Sequence, residues 1–329
     1  MSSVASTPRG SPAPSSAPSR MSLAAVRTGP SQRADRILLM GTEGVGKTSW
    51  AAGAPSPVFL CAEDGIPSSL ASVPRLPEPE SVEDVHAAIR ALTDEPHDFK
   101  TFVIDTLDWL EPIVWRDVAR KNNWRNKAGE LDIEAPGYGK GYIAANEEWR
   151  RILAGLDGLR KARGMEIILL AHASIKVFQN PNGPDYARYE CKLNKGAAAL
   201  VKEWTDTNLF AVYEALSTEK DIEKKGKMVS TGQRIVHTEW NAAWDAKNRH
   251  GLPPVLPLDY AAYAEARAKG APADPAILEV EARELLATWA PDAPTAEKAA
   301  SEIEKAKGNA VRLAQLVNVL RTRVSQKAA

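Results

Sequence analysis

Residues Gly41, Thr42, Glu43, Gly44, Val45, Gly46, Lys47 and Thr48 read G-T-E-G-V-G-K-T, directly after the apolar run Ile37, Leu38, Leu39, Met40 and before Ser49, Trp50, Ala51, Ala52. A strand, a glycine-rich turn and a helix start in that order let successive backbone N–H groups curl around a phosphate, where the helix dipole also favours an anion. The segment from Gly41 to Ser49 is therefore expected to cradle a nucleoside triphosphate. Lys47 would reach the β- and γ-phosphates and Thr48 would offer its hydroxyl to Mg²⁺, with ATP and Mg²⁺ as the expected ligands. A glycine-rich turn with a coincidental Gly-Lys-Thr is the competing reading, and the strand and helix on either side argue against it. Gly53, Pro55 and Pro57 cut the following helix to about two turns.

The chain has 329 residues, 44% of them hydrophobic, with 42 basic residues against 42 acidic ones. That suits one sizeable α/β domain with appendages and gives no global pull toward nucleic acid, so any polyanion site must be local. Cys61 and Cys191 lie far apart without metal-ligand spacing and read as core thiols in a reducing, cytoplasmic setting. No apolar run approaches the ~18 residues that span a membrane, so no membrane partner is expected. Residues 1–34 are rich in Ser, Pro and Ala, carry Arg9, Arg20, Arg27 and Arg33, and contain no acid. That composition predicts a disordered tail with weak DNA affinity; its prolines argue against the amphipathic helix of a transit peptide.

Five apolar runs, at 37–40, 58–61, 102–104, 167–171 and 209–213, alternate with helical patterns, as in a parallel sheet with crossover helices. The clearest helix is expected over 144–163, with Trp149, Ile152, Leu153, Leu156 and Leu159 on one face and Gly164 as its stop. A Lys-rich turn (Lys220, Lys224, Lys225, Gly226, Lys227) precedes 233–239, which predicts a β-hairpin at the sheet edge. Beyond Pro272 two or three helices are expected, separated at Pro291 and Pro294. Their stripes are Leu278, Leu285, Leu286, Trp289 and Leu313, Leu316, Val317, Leu320, Val324. The division is then a tail (1–34), an ATPase core (35–272) and a helical region (273–329). The helical region suits packing or subunit contact, with its basic end (Arg312, Arg321, Arg323, Lys327) as a lesser DNA or partner surface.

Phe102, Val103 and Ile104 end in Asp105, a carboxylate placed to hold the water shell of Mg²⁺ opposite the phosphate loop. Thr106 follows, so the adjacent Asp-Glu pair of AAA+ ATPases is missing and the general base must lie elsewhere. The intervening run 58–61 leads into Ala62, Glu63, Asp64 and Gly65, and the carboxyl ends of such strands face the nucleotide crevice. Glu63 is the expected base that orients the attacking water, with Asp64 as the substitute; a turn acid before Pro67 is the competing reading.

With these motifs in this order the chain resembles the RecA-like ATPase core: an α/β fold with a central, mostly parallel sheet flanked by helices. The resemblance implies that Glu63 is catalytic. It also implies that His172, in I-I-L-L-A-H-A, ends a strand beside the P-loop strand and senses the γ-phosphate. Lys247 and Arg249, in D-A-K-N-R-H-G-L-P, resemble the Lys-x-Arg finger of RecA and DnaB-type helicases, which implies catalysis across a subunit interface in a ring or filament. Together with Gly137, Tyr138, Gly139, Lys140, Gly141 and Tyr142, these stretches resemble the phage nucleotide-binding proteins that include the Sak group of single-strand-annealing recombinases. The likeness spans about residues 35–260.

In RecA-like recombinases mobile loops hold single-stranded DNA. The corresponding stretches here interleave cations with aromatics: Arg120, Lys121, Trp124, Arg125, Lys127, Tyr138, Lys140 and Tyr142, then Lys176, Phe178, Tyr186, Arg188, Tyr189 and Lys192. Local packing of these aromatics is the competing reading, and Glu130, Asp132 and Glu134 dilute the first group. The leading expectation is an oligomeric, DNA-stimulated ATPase that promotes annealing or strand exchange, with a single-strand-binding protein as a further partner. A replicative helicase or helicase-loading motor, and a nucleotide-regulated interaction protein without DNA binding, are the alternatives.

Overall fold

The computed structural model describes residues 21–23, 26, 33–63, 67–181, 183–217, 228–269, 275–289, 292–308 and 310–328. Arg9, Arg20, Arg27, Asp64, Pro272, Pro291 and the Lys-rich turn at 220–227 lie outside them. Chain contacts divide the molecule into residues 1–32 and residues 33–329. All the strands and α-helices below belong to the second unit.

The strands are β1 (Arg36–Gly41), β2 (Pro57–Cys61), β3 (Thr101–Asp105), β4 (Glu166–Phe178), β5 (Tyr186–Cys191), β6 (Thr207–Ser217), β7 (Met228–His237), β8 (Lys247–Asn248) and β9 (Val255–Pro257). The helices are α1 (Lys47–Ala52), α2 (Val82–Asp94), α3 (Leu107–Lys121), α4 (Lys140–Arg163), α5 (Lys195–Trp204) and α6 (Tyr260–Lys269), followed by α7 (Pro275–Trp289), α8 (Ala293–Lys305) and α9 (Ala310–Ala328). The sheet runs β2-β3-β4-β1-β6-β7-β9, with β5 on β4 and β8 on β6. Along β2-β3-β4-β1-β6 every pairing is parallel, while β5, β7, β8 and β9 pair antiparallel.

Continuous apolar runs suit this sheet because parallel strands are covered on both faces. Leu38 and Met40 of β1, Phe102 and Ile104 of β3, and Ile167 and Leu169 of β4 pack with α2, α3, α4 and α5. The alternate residues Ile37, Leu39, Val103, Ile168 and Leu170 pack instead with α1 and α6. The period of two along each strand thus divides the residues between two cores.

Local chemistry sets the helix ends. Ser81 and Asp84 form a capping box at α2. Helix α4 stops at Gly164, whose φ of 67° is left-handed. It starts four residues before the expected 144, because a Cβ on Gly141 would come 1.8 Å from the Ile133 carbonyl oxygen and only glycine allows that approach. The short α1 is secured by Trp50, edge-on to Tyr260 and Tyr263 of α6 with centroids 5.1 and 5.4 Å apart. The strands of the expected hairpin pair as β6–β7, but β9 covers β7, so the pair is not at the sheet edge, and residues 218–227 between them lie outside the described residues. Helices α7, α8 and α9 share a core of their own around Leu278, Ala282, Ile303, Leu313, Val317 and Leu320.

At the start of β4, Tyr260 donates a 2.6 Å hydrogen bond to Glu166, and burial pushes that carboxyl from 4.5 up to about 7. Between those values the folded chain holds a proton that the unfolded chain has lost, so stability falls as pH rises from 4.5 to about 7 and is level above it. The full difference is about 3 kcal/mol. Urea midpoints measured across that window should show the decline, and Glu166→Gln should make it shallower by removing this carboxyl's share.

Candidate nucleotide-binding and catalytic site

Strand β1 delivers the phosphate loop to the carboxyl end of the sheet, where Gly41 is in register with His172 of β4 and Ala211 of β6. A Cβ on Gly41 would lie 2.5 Å from the Ala211 carbonyl oxygen, so the close approach of β6 demands glycine. Gly44 and Gly46 take φ of 69° and 105°, which turns the chain back into α1. The buried Lys47 amine donates to the carbonyls of Thr42 at 3.1 Å and Gly41 at 3.4 Å. Burial pushes its pKa down, opposed by Asp105, Asp108, Glu63 and Glu43.

Thr48 Oγ1 donates to Asp105 Oδ2 at 2.8 Å. The other oxygen, Asp105 Oδ1, is buried with no hydrogen-bond partner among the described residues. Burial raises this carboxyl, while Thr48 and Lys47 favour its charged form. A hydroxyl and an unpartnered carboxylate oxygen on one spot fit Mg²⁺, which prefers hard oxygen ligands and keeps several waters. Such a site needs few protein ligands, consistent with the described residues containing no group of three or more His, Cys, Asp or Glu able to hold a metal. The ion would neutralise charge on the triphosphate.

The base expected from the sequence sits in this same neighbourhood. Cys61 pairs with Asp105, and the Ala62 N–H donates to the Asp105 carbonyl at 2.7 Å, so the chain leaving β2 brings Glu63 alongside. Burial raises the Glu63 carboxyl, His172 and Lys47 act to lower it, and Asp105 and Asp108 add to the rise. A raised carboxylate beside a phosphate site suits a general base.

Sequence reasoning missed Asp108. It sits in the first turn of α3 and holds His172 twice, accepting from the backbone N–H at 2.8 Å and from Nδ1 at 2.9 Å. Burial opposes ionisation of Asp108, but these hydrogen bonds overcome it and keep its pKa low. A carboxylate acceptor assigns the proton to Nδ1 and leaves Nε2 unconstrained by this pair. The only signal in the sequence was an acid at a helix start, which is also what the helix dipole favours. One turn on, both oxygens of Glu111 accept from the Asn194 N–H at 3.0 Å, and burial pushes that carboxyl up to about 7.

Three expectations are corrected. Strand β4 does not end at His172: it continues to Phe178 and pairs antiparallel with β5, so residues 176–178 and 186–191 are paired strands rather than a mobile loop. Arg188 is only 5% exposed, held near Glu190 and Asp245 and flanked by the rings of Phe178 and Trp240, which removes it as a DNA contact. Lys176 donates to the carbonyls of Cys191 and Leu193, while Phe178 and Tyr186 pair at 5.2 Å. Finally, Lys247 is no extended finger. Its amine donates to the carbonyls of Lys202, Glu203 and Thr205 at the end of α5, where a cation complements the helix dipole.

Other predicted residues divide between engaged and outward. Arg120 pairs with Asp117, Lys121 with Glu148, and Arg125 with the Gly129 carbonyl, while Trp124 packs against the core. Lys127, Lys140 and the fully exposed Tyr138 face outward. Arg249 stays 54% exposed beside Asp206.

A family model described as an AAA domain matches residues 33–250, the greater part of the chain. The chain belongs to the AAA domain family. The matched span carries the phosphate loop, Asp105 and Glu63 on a mostly parallel sheet flanked by helices, which fits a P-loop ATPase fold, with β4 between the P-loop strand and the Asp105 strand. Among solved structures, one described as the crystal structure of the RadB recombinase aligns with a TM-score of 0.36 at 12% identity, over 62% of this chain and 80% of that one. A search of curated proteins found no match. No described helix is long and apolar enough to cross a membrane.

Asp108→Asn should leave ATP affinity within about twofold and lower hydrolysis about tenfold, because the imidazole loses its orientation while the phosphate loop is untouched. Equilibrium binding and single-turnover hydrolysis on the same preparations check this.

Proposed function

We propose that this AAA-family protein is a Mg²⁺-dependent ATPase whose γ-phosphate status controls binding of single-stranded DNA, serving annealing or strand exchange. The observation that carries the reading is the continuity of β4. His172, beside the phosphate loop and held by Asp108, lies on the same unbroken strand as the β4–β5 hairpin. A contact from His172 Nε2 to the γ-phosphate would bias the hairpin through the strand itself.

In this reading Lys47 binds the triphosphate, Thr48 and Asp105 hold the metal, and Glu63 orients water for in-line attack on the γ-phosphorus. ADP leaves as the leaving group, and the proton of the water passes to the Glu63 carboxylate. The DNA face comprises the outward Lys127, Tyr138 and Lys140, together with the paired rings of Phe178 and Tyr186, a combination suited to phosphate contact and base stacking.

Arg249 is the residue that would join subunits in a ring or filament. Strand β8 pairs with Thr207 and Asn208 at the start of β6, opposite the beginning of β1, whereas Ala211 farther along β6 lies opposite Gly41 at the phosphate-loop end of β1. A phosphate met by Arg249 therefore belongs to another subunit. Lys247, Asn208 and Arg249 line a cleft of about 600 Å³ at that end. Lys247 acts there by fixing the end of α5 rather than by touching the phosphate.

A second reading, a nucleotide-regulated interaction protein, is favoured by the separate core of α7, α8 and α9. Fluorescence anisotropy of labelled single-stranded DNA separates the two. The DNA reading predicts that a non-hydrolysable ATP analogue tightens binding about tenfold and that Lys47→Ala abolishes the effect. Equal affinity in Lys47→Ala with and without nucleotide, matched by wild type, supports the interaction protein.

A further inference from the structure

The antiparallel ribbon β6–β7 touches the phosphate loop from outside. Tyr213 and Arg234 are cross-strand partners and so stand side by side on one face of the ribbon. The Tyr213 hydroxyl donates to the Gly44 carbonyl at 3.1 Å, and Arg234 Nη1 donates to the Val45 carbonyl at 3.4 Å. The guanidinium also covers Gly46, where an added Cβ would lie 2.6 Å from Nη1. Just past Tyr213 the β6–β7 register shifts, the kind of irregularity that re-aims side chains.

In a trans peptide the C=O and the following N–H point in opposite directions. A carbonyl held on the outside of the loop therefore turns the next residue's N–H to the inside. Tyr213 does this for Val45 and Arg234 does it for Gly46. The next carbonyl, on Gly46, accepts from the Trp50 N–H at 3.0 Å as the first bond of α1, which orients the Lys47 N–H in the same way. Three consecutive amides are thus aligned, two of them by side chains from β6 and β7. Without those bonds the glycines at 44 and 46 leave the peptide planes free to rotate.

We propose that Tyr213 and Arg234 are positioning residues that preorganise the phosphate loop for the diphosphate common to ATP and ADP. The inference rests on the reading of residues 41–48 as a nucleotide site. Arg234 adds a positive charge just outside the loop, but its role is to hold the Val45 carbonyl, not to meet the transferred phosphoryl group. Neither residue belongs to a recognisable motif, since each reaches the loop only through the pairing of β6 with β7.

The test uses the full chain and measures equilibrium binding of ADP and ATP together with the saturated hydrolysis rate. Tyr213→Phe removes only a hydroxyl, and Arg234→Lys keeps a cationic donor. Each single change, Tyr213→Phe and Arg234→Ala, should weaken ADP and ATP alike by about fivefold, with kcat within about twofold of wild type. Arg234→Lys should recover part of the loss. Amide hydrogen exchange at Val45 and Gly46 should speed up in Tyr213→Phe while the thermal midpoint stays put. Unchanged ADP affinity in Tyr213→Phe and in Arg234→Ala would overturn the proposal, as would a fall in kcat with affinity intact. Lys47→Ala is the separate control: wild type that binds no nucleotide defeats the site reading itself, whereas binding lost only in Lys47→Ala leaves that reading standing.

Discussion

The 2.8 Å hydrogen bond from Thr48 to Asp105 joins the two halves of the chemistry. Thr48 belongs to α1 and Asp105 to the end of β3, two strands away from β1 in the sheet. Their meeting depends on β4 inserting between them in register, and the same insertion sets His172 beside Gly41. The Ala62 N–H on the Asp105 carbonyl then draws the end of β2 into the group. A one-residue slip of β4 would exchange the residues it sends to the two cores and move His172 off Asp108, so the core residues and the site constrain one register together.

The site concentrates acids that would repel one another in water. Asp105, Asp108 and Glu63 gather near the buried Lys47, and their protonation diverges by environment. Asp108 stays low because His172 donates to it twice; Glu63 and Asp105 are raised by burial. In the proposed mechanism this divergence gives the same side-chain chemistry different tasks: orienting an imidazole, holding a metal, activating water.

Much of this was legible in the chain. The phosphate loop, the five parallel strands and Asp105 follow from local composition and order, because strand periodicity and glycine placement are properties of neighbouring residues. The placement of Glu63 near Asp105 was legible from its position after the second apolar run. Asp108, Tyr213 and Arg234 were not, since each acquires its role through a contact between elements distant in sequence. Arg188 and Lys247 misled for a related reason. A cation in a motif-like string reads as available, yet burial between Phe178 and Trp240 engages the first and the carbonyls at the end of α5 engage the second. The continuation of β4 past His172 was hidden by the alternation of polar and apolar residues from Ser174 to Phe178, which reads equally as loop or edge strand.

The central claim is that Glu63 activates water at a phosphate site coupled to single-stranded DNA. Steady-state ATP hydrolysis by wild type and Glu63→Gln, each with and without single-stranded DNA, tests it most directly. Single-stranded DNA should stimulate turnover in wild type, and Glu63→Gln should lose turnover while still binding ATP. Turnover in Glu63→Gln equal to wild type, or hydrolysis indifferent to DNA, would contradict it.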